Sequence, residues 1–116
     1  MTIKRIEAGA RMSQAVVYGD TVYLAGQVAL TNKGKPVGEQ TQEILASIDR
    51  LLGEAGTDKS KLLSAQIWLA DIGKFNEMNE VWDAWLAPGS APARATVEAN
   101  LAAPEFTVEI MVVAAR

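Results

Sequence analysis

The 116-residue chain contains no cysteine and no histidine. Without Cys there is no disulfide framework and no thiol nucleophile. Without His the commonest general base and the commonest metal ligand are both missing, so any acid–base work falls to carboxylates, Lys, Tyr or bound water. There is also no basic block or stripe: 14 acidic residues outnumber 11 basic ones, for a net charge of −3, which makes nucleic acid a poor partner. The first residues, Met1 to Ile6, hold no long apolar run, so they are expected to be neither a signal peptide nor a membrane span. A soluble cytoplasmic protein is the expectation. No low-complexity segment and no fixed-period repeat is visible.

What is present is the composition of a folded protein, 49% hydrophobic and 22% charged. Its length predicts a single domain over residues 1–116. Ile3 to Ile6 alternates apolar with basic residues and reads as an edge strand. Gln14–Tyr18 and Thr21–Ala25, joined by Gly19-Asp20, read as a hairpin. Gly26 follows, either as a bulge or strand-end glycine or as a point where backbone approaches a ligand. From Glu39 to Ala55 the period changes: Ile44, Leu45, Ile48, Leu51, Leu52 and Ala55 form one helical stripe, and Gly56 is a natural stop. Lys61–Ala70 is strand-like. Asp71 is placed to cap a second helix over about 74–86, where Phe75, Met78, Trp82 and Trp85 line a stripe read as core. Pro88-Gly89 ends it, and two strands close the chain, one through Arg94, Thr96 and Glu98, the other through Glu109, Met111 and Val113.

This order predicts an α+β architecture, one mixed sheet with two helices packed on one face. Val22, Leu24, Leu63, Ile67, Val97, Ile110 and Val112 are expected beneath the helices. The opposite face is expected to gather Tyr23, Ala25, Gln66, Trp68, Arg94, Thr96, Glu109, Met111 and Val113, too apolar for open solvent. Such a face predicts a homo-oligomer with clefts between subunits. Arg94 and Glu109, placed on this one face, read either as an ion pair or solvated charges, or as a site. In the second case the guanidinium grips a small carboxylate in its plane, the glutamate orients and partly deprotonates a water, and Thr96 donates a hydrogen bond.

At these residues the chain resembles the RidA/YjgF family of reactive intermediate deaminases. The resemblance rests on Ser13-Gln14-Ala15-Val16, Ala25-Gly26-Gln27-Val28, Phe75 to Trp85 with Asn79, Pro92-Ala93-Arg94 and Val108-Glu109-Ile110. Asp71 with Trp82-Asp83-Ala84-Trp85 and Ala91-Pro92-Ala93-Arg94 is most similar to a YoaB-like branch. The resemblance implies a chorismate-mutase-like fold and a homotrimer whose strands form a central barrel. It implies cofactor-free and metal-free hydrolysis of 2-enamine/2-imine carboxylates, of the 2-aminoacrylate or 2-iminobutanoate type, to 2-oxo acids and ammonia. By the same resemblance Arg94 and Glu109 are catalytic, Arg94 gripping the substrate carboxylate and Glu109 positioning water, while Gly26 and Asn79 line the cleft. Met12, Ala25 and Thr96 stand where the family usually has a tyrosine, a serine and a cysteine, which bears on substrate choice. The alternatives are a non-catalytic trimer that binds a 2-oxo acid in a regulatory or scavenging role, and a purely structural oligomer in which Arg94 and Glu109 pair. A chorismate mutase activity would rest on fold analogy alone.

Overall fold

The computed structural model describes every residue from Met1 to Arg116. Its strands are β1 (Ile3–Ile6), β2 (Ala15–Tyr18), β3 (Thr21–Leu24), β4 (Leu62–Leu69), β5 (Ala93–Glu98) and β6 (Val108–Ala115). Its α-helices are α1 (Val37–Glu54) and α2 (Phe75–Trp85). All six strands join one sheet in the order β1-β2-β3-β6-β4-β5. Only the β4–β5 pairing is parallel. The expected mixed sheet and the element order are therefore found, with boundaries moved by a residue or two.

Both helices lie on the same face for a topological reason. β3 and β4 are each antiparallel to β6, so they run parallel to each other, and α1 crosses between them. α2 crosses from β4 to β5. The two crossovers step along the sheet in one direction, and crossovers of the same hand then stack their helices on one side. β6, last in sequence, is inserted at the centre between β3 and β4.

Local chemistry sets the ends of these elements. The hairpin turns at Gly19, whose φ of 60° falls at the first of the two connecting residues, where a type II′ turn requires it. α1 starts after Pro36, which offers no side-chain cap; instead the Glu77 carboxylate of α2 accepts from the Gly38 N–H at 3.0 Å. Its other end is a Schellman motif. Gly56 takes φ 84°, its N–H donates to Gly53, and the Thr57 N–H donates to Leu52. Asp71 caps a 3-10 turn over Ile72–Lys74, rather than α2 itself, by accepting from the Gly73 N–H at 2.8 Å.

The core lies between helices and sheet. Ile44, Leu45, Ile48, Leu51 and Leu52 of α1 pack on Val108, Ile110, Val112 and Ala114 of β6, with Met78 and Trp82 of α2 beside Ala65, Ile67 and Leu69 of β4. Two sheet positions expected in the core are elsewhere. Leu63 is 51% exposed because a bulge between Leu62 and Ser64 throws it out of the alternation. Val97 pairs with Trp68, which places it on the face away from the helices. That face also presents Ile3, Tyr18, Tyr23 and Met111, all exposed. No helix is long and apolar enough to cross a membrane.

Candidate functional site

β5 is an edge strand that follows α2 in the chain, so its helix-side residues meet the helix that precedes them. Arg94 is one of these. It pairs with buried Ala65 and shares the helix side of the sheet. Its Nη1 donates to the Asn79 Oδ1 at 2.8 Å. The guanidinium carbon lies 5.5 Å from the Trp82 ring centroid and 5.7 Å from that of Phe75. Phe75, Asn79 and Trp82 follow one another at helical spacings of four and three, so α2 presents all three on one face. No carboxylate forms a salt bridge with Arg94; both salt bridges in the chain belong to Arg50. The result is a half-buried cation with its direction fixed and its charge unspent.

Glu109 is built differently. It is the second residue of β6, paired with Trp68, on the face away from the helices. Between Tyr23 and Gln27 the β3 side carries one residue more than β6 does between Ile110 and Val113, which makes a bulge around Gly26. The Glu109 carboxylate lies over that glycine: a Cβ there would meet Oε2 and stand 3.1 Å from Cδ. Partial burial raises the pKa of Glu109, and no cation or hydrogen bond offsets it. A carboxyl group of this kind holds its proton to higher pH than a solvated one.

The expectation that Arg94 and Glu109 share a face is corrected. Arg94 pairs with Ala65 and Glu109 with Trp68; these positions of β4 are an odd number apart and point to opposite sides. Within one chain the two do not pair, and they open on different surfaces. Thr96 moves with Arg94 to the helix side, where its Oγ1 is buried without a hydrogen-bond partner. Tyr23, Gln66, Trp68, Met111 and Val113 are on the open face as expected. Alternation along β5 misled because polar Arg94, Thr96 and Glu98 look like the outer side of a strand. The edge strand instead turns them to the helix side, where Glu98 accepts from the Ile72 N–H of the 3-10 turn that precedes α2, at 2.9 Å.

The remaining positions lie near the end of the sheet that holds Gly26. Ala25 donates its N–H to the Gln14 carbonyl, and Gln27 Nε2 donates to Gln14 Oε1 and to the Ala25 carbonyl. These bonds tie the β1–β2 loop to the bulge. Met12, 48% exposed on that loop, is brought together with neither Asn79 nor Arg94; it lines a surface depression with Glu7, Gly9, Ala10, Arg11 and Gln14. The expected core placement holds for Trp82, which is 3% exposed, but not for Phe75, which is 37% exposed, and the packing of both rings on Arg94 is not foreseen by it. The signal was present, since both share a helical stripe with Asn79.

Comparison with known proteins places this geometry in context. The family described as Endoribonuclease L-PSP matches residues 2–116. A RutC family protein, YoaB, from Escherichia coli is 46% identical over 115 residues, covering 99% of each chain. The structure of a YjgF family member from Neisseria meningitidis superposes with a TM-score of 0.96 at 46% identity, covering 100% of this chain and 96% of that one. A Rid family protein of unknown function from Yersinia pestis superposes with a TM-score of 0.89 at 27% identity, covering 99% of this chain and 100% of that one.

Proposed function

This chain belongs to the RidA/YjgF family, matched as Endoribonuclease L-PSP over residues 2–116, and on that premise we propose that it is a hydrolytic deaminase of 2-imino carboxylates. The observation that carries the reading is the state of Arg94. A half-buried guanidinium fixed by Asn79 and two rings, with no carboxylate of its own, is a receptor for a carboxylate from outside. Against the RNA-cleaving activity in the family description stand the absence of His and a net charge of −3, which leave a phosphate backbone little to bind.

In this reading Arg94 holds the substrate carboxylate and so fixes the adjacent C2. Glu109 orients a water, takes a proton as the oxygen adds to C2, and returns it to nitrogen. As the C–N bond of the resulting carbinolamine breaks, the hydroxyl on C2 gives up its proton to Glu109, which passes it to the departing nitrogen, releasing ammonia and the 2-oxo acid with its C2=O double bond. The imine carbon is already electrophilic, so positioning and modest proton transfer suffice, without a His or Cys nucleophile. The unpartnered Thr96 hydroxyl is a further donor beside Arg94, with Gly26, Ala25 and Met12 toward the Glu109 end. No metal or organic cofactor enters the steps.

Because Arg94 and Glu109 occupy opposite faces of one sheet, a site that uses both is assembled from two copies. The exposed apolar residues Tyr18, Tyr23, Val97 and Met111 give such copies a face to share. A homotrimer with three such clefts is the arrangement proposed. Imine generated in situ should decay faster with the wild-type protein than without it; no acceleration overturns the reading. Arg94→Ala and Glu109→Gln should each be inactive alone. Co-assembled, they should recover about a quarter of wild-type activity, since random mixing leaves that share of interfaces with both groups intact. No recovery would mean that the site lies within one chain.

A second reading is favoured by Ala25 and Met12, which bring no polar side-chain group to the Glu109 end: a trimer that binds a 2-oxo acid without turning it over. There a 2-oxo acid raises the melting temperature while imine decay is unaffected.

A further inference from the structure

Arg94 is held by an unusual set of partners for a half-buried cation. One edge of its guanidinium is occupied by the Asn79 amide oxygen at 2.8 Å, and its carbon stands 5.5 Å and 5.7 Å from the ring centroids of Trp82 and Phe75. A carboxylate would hold it more strongly, but would also neutralise it. Ring faces attract a cation through their quadrupole and carry no net charge, so they offset the loss of water while leaving the full positive charge available. Trp82 is 3% exposed and anchored in the core, whereas Phe75 is 37% exposed at the start of α2. One ring is therefore a fixed wall and the other a surface cover.

We infer that Phe75 and Trp82 are positioning residues for Arg94, holding its guanidinium plane by their ring faces so that its free edge meets an incoming carboxylate already oriented. The geometric part stands on this chain alone; the functional consequence rests on the carboxylate-clamp reading above. The arrangement is specific to arginine. An ammonium is a compact, strongly hydrated charge with no plane to align, so Arg94→Lys keeps the charge and loses the orientation.

The test separates the two parts. Side-chain NMR of the substrate-free protein reads the Arg94 Nε–H proton, attached next to the guanidinium carbon that stands 5.5 Å and 5.7 Å from the two ring centroids, and a ring-current shift is expected there. Phe75→Leu should move that signal toward its ordinary position, and Phe75→Tyr should retain it. A signal unchanged in Phe75→Leu overturns the inference whatever the activity. In the imine assay Phe75→Leu should raise KM about tenfold with a smaller change in kcat, and Phe75→Tyr should restore it. An unchanged KM in a protein whose NMR signal has moved overturns the positioning role. Trp82→Phe, which keeps a ring in the core, should fall between. If the wild-type protein neither turns over imines nor binds 2-oxo acids, the clamp reading fails, and the NMR result decides the geometric part by itself.

Discussion

Gly26 and Glu109 share a volume that only one of them can fill. The glutamate carboxylate lies where any side chain at position 26 would begin, with Cδ 3.1 Å from an ideal Cβ. The glycine is required here by close approach rather than by backbone conformation, since its φ is not among the positive ones. Gly26→Ala should therefore push Glu109 aside and lower imine hydrolysis about 10- to 100-fold, the scale of misplacing a reacting group by about 1 Å. The melting temperature should change little, because Glu109 can swing toward the open face. Full activity in this variant would show that the seating of Glu109 is immaterial.

The raised pKa of Glu109 makes a prediction about stability and pH. Burial favours the protonated form in the folded state, so the native protein binds more protons than the unfolded chain above the ordinary carboxylate value of 4.5. That difference lowers stability as pH rises from the ordinary value through the raised one. Glu109→Gln removes the titrating group. Urea unfolding at a series of pH values should show the variant gaining on wild type as pH increases across this window. A difference that shrinks with rising pH would give the shift the opposite sign.

Gln40 is fully buried and joins two loops. Its Nε2 donates to the Lys35 and Glu105 carbonyls, each at 2.9 Å, and its Oε1 accepts from the Thr107 N–H at 3.0 Å. Gln40→Leu keeps much of the volume and strands the Lys35 carbonyl and the Thr107 N–H, while the Glu105 carbonyl keeps the Gly34 N–H at 2.9 Å. The expected cost is about 2–6 kcal/mol, from a penalty of about 1–3 kcal/mol for each of the two groups left unpaired. Chemical denaturation measures it, and a loss below about 0.5 kcal/mol, the scale of an ordinary surface change, would contradict the account.

The open face yields a prediction on assembly. Met111 and Tyr23 project from adjoining central strands away from the helices and are 37% and 49% exposed. Met111→Lys should place a charge in any interface formed there and shift light-scattering mass toward the monomer, while circular dichroism stays unchanged. An assembly indifferent to this change uses another surface.

Much of this architecture is legible in the residues themselves. The stripe Ile44, Leu45, Ile48, Leu51 and Leu52 specifies α1, and Gly56 stops it through a positive φ that other residues rarely adopt. The Gly19 turn specifies the β2–β3 hairpin, and the alternation that puts Tyr23, Trp68 and Met111 on one side is found in the sheet pairing. Missing His and Cys leave acid–base work to carboxylates, Lys, Tyr or bound water before any coordinate is known. Gln40 gave no such sign, because a polar residue on a buried helix face is distinguished only by distant backbone groups that receive it.

The sidedness of Arg94 belongs to the tertiary structure. Alternation along a strand is a local property with a period of two, and it says which residues travel together but not toward which side. For β5 that choice comes from its parallel pairing with β4 and from α2 lying above the pair. An edge strand has one neighbour to set its register, and here the neighbour turns the charged row inward. That placement gives Arg94 its aromatic walls, and it separates the guanidinium from the carboxylate of its own chain.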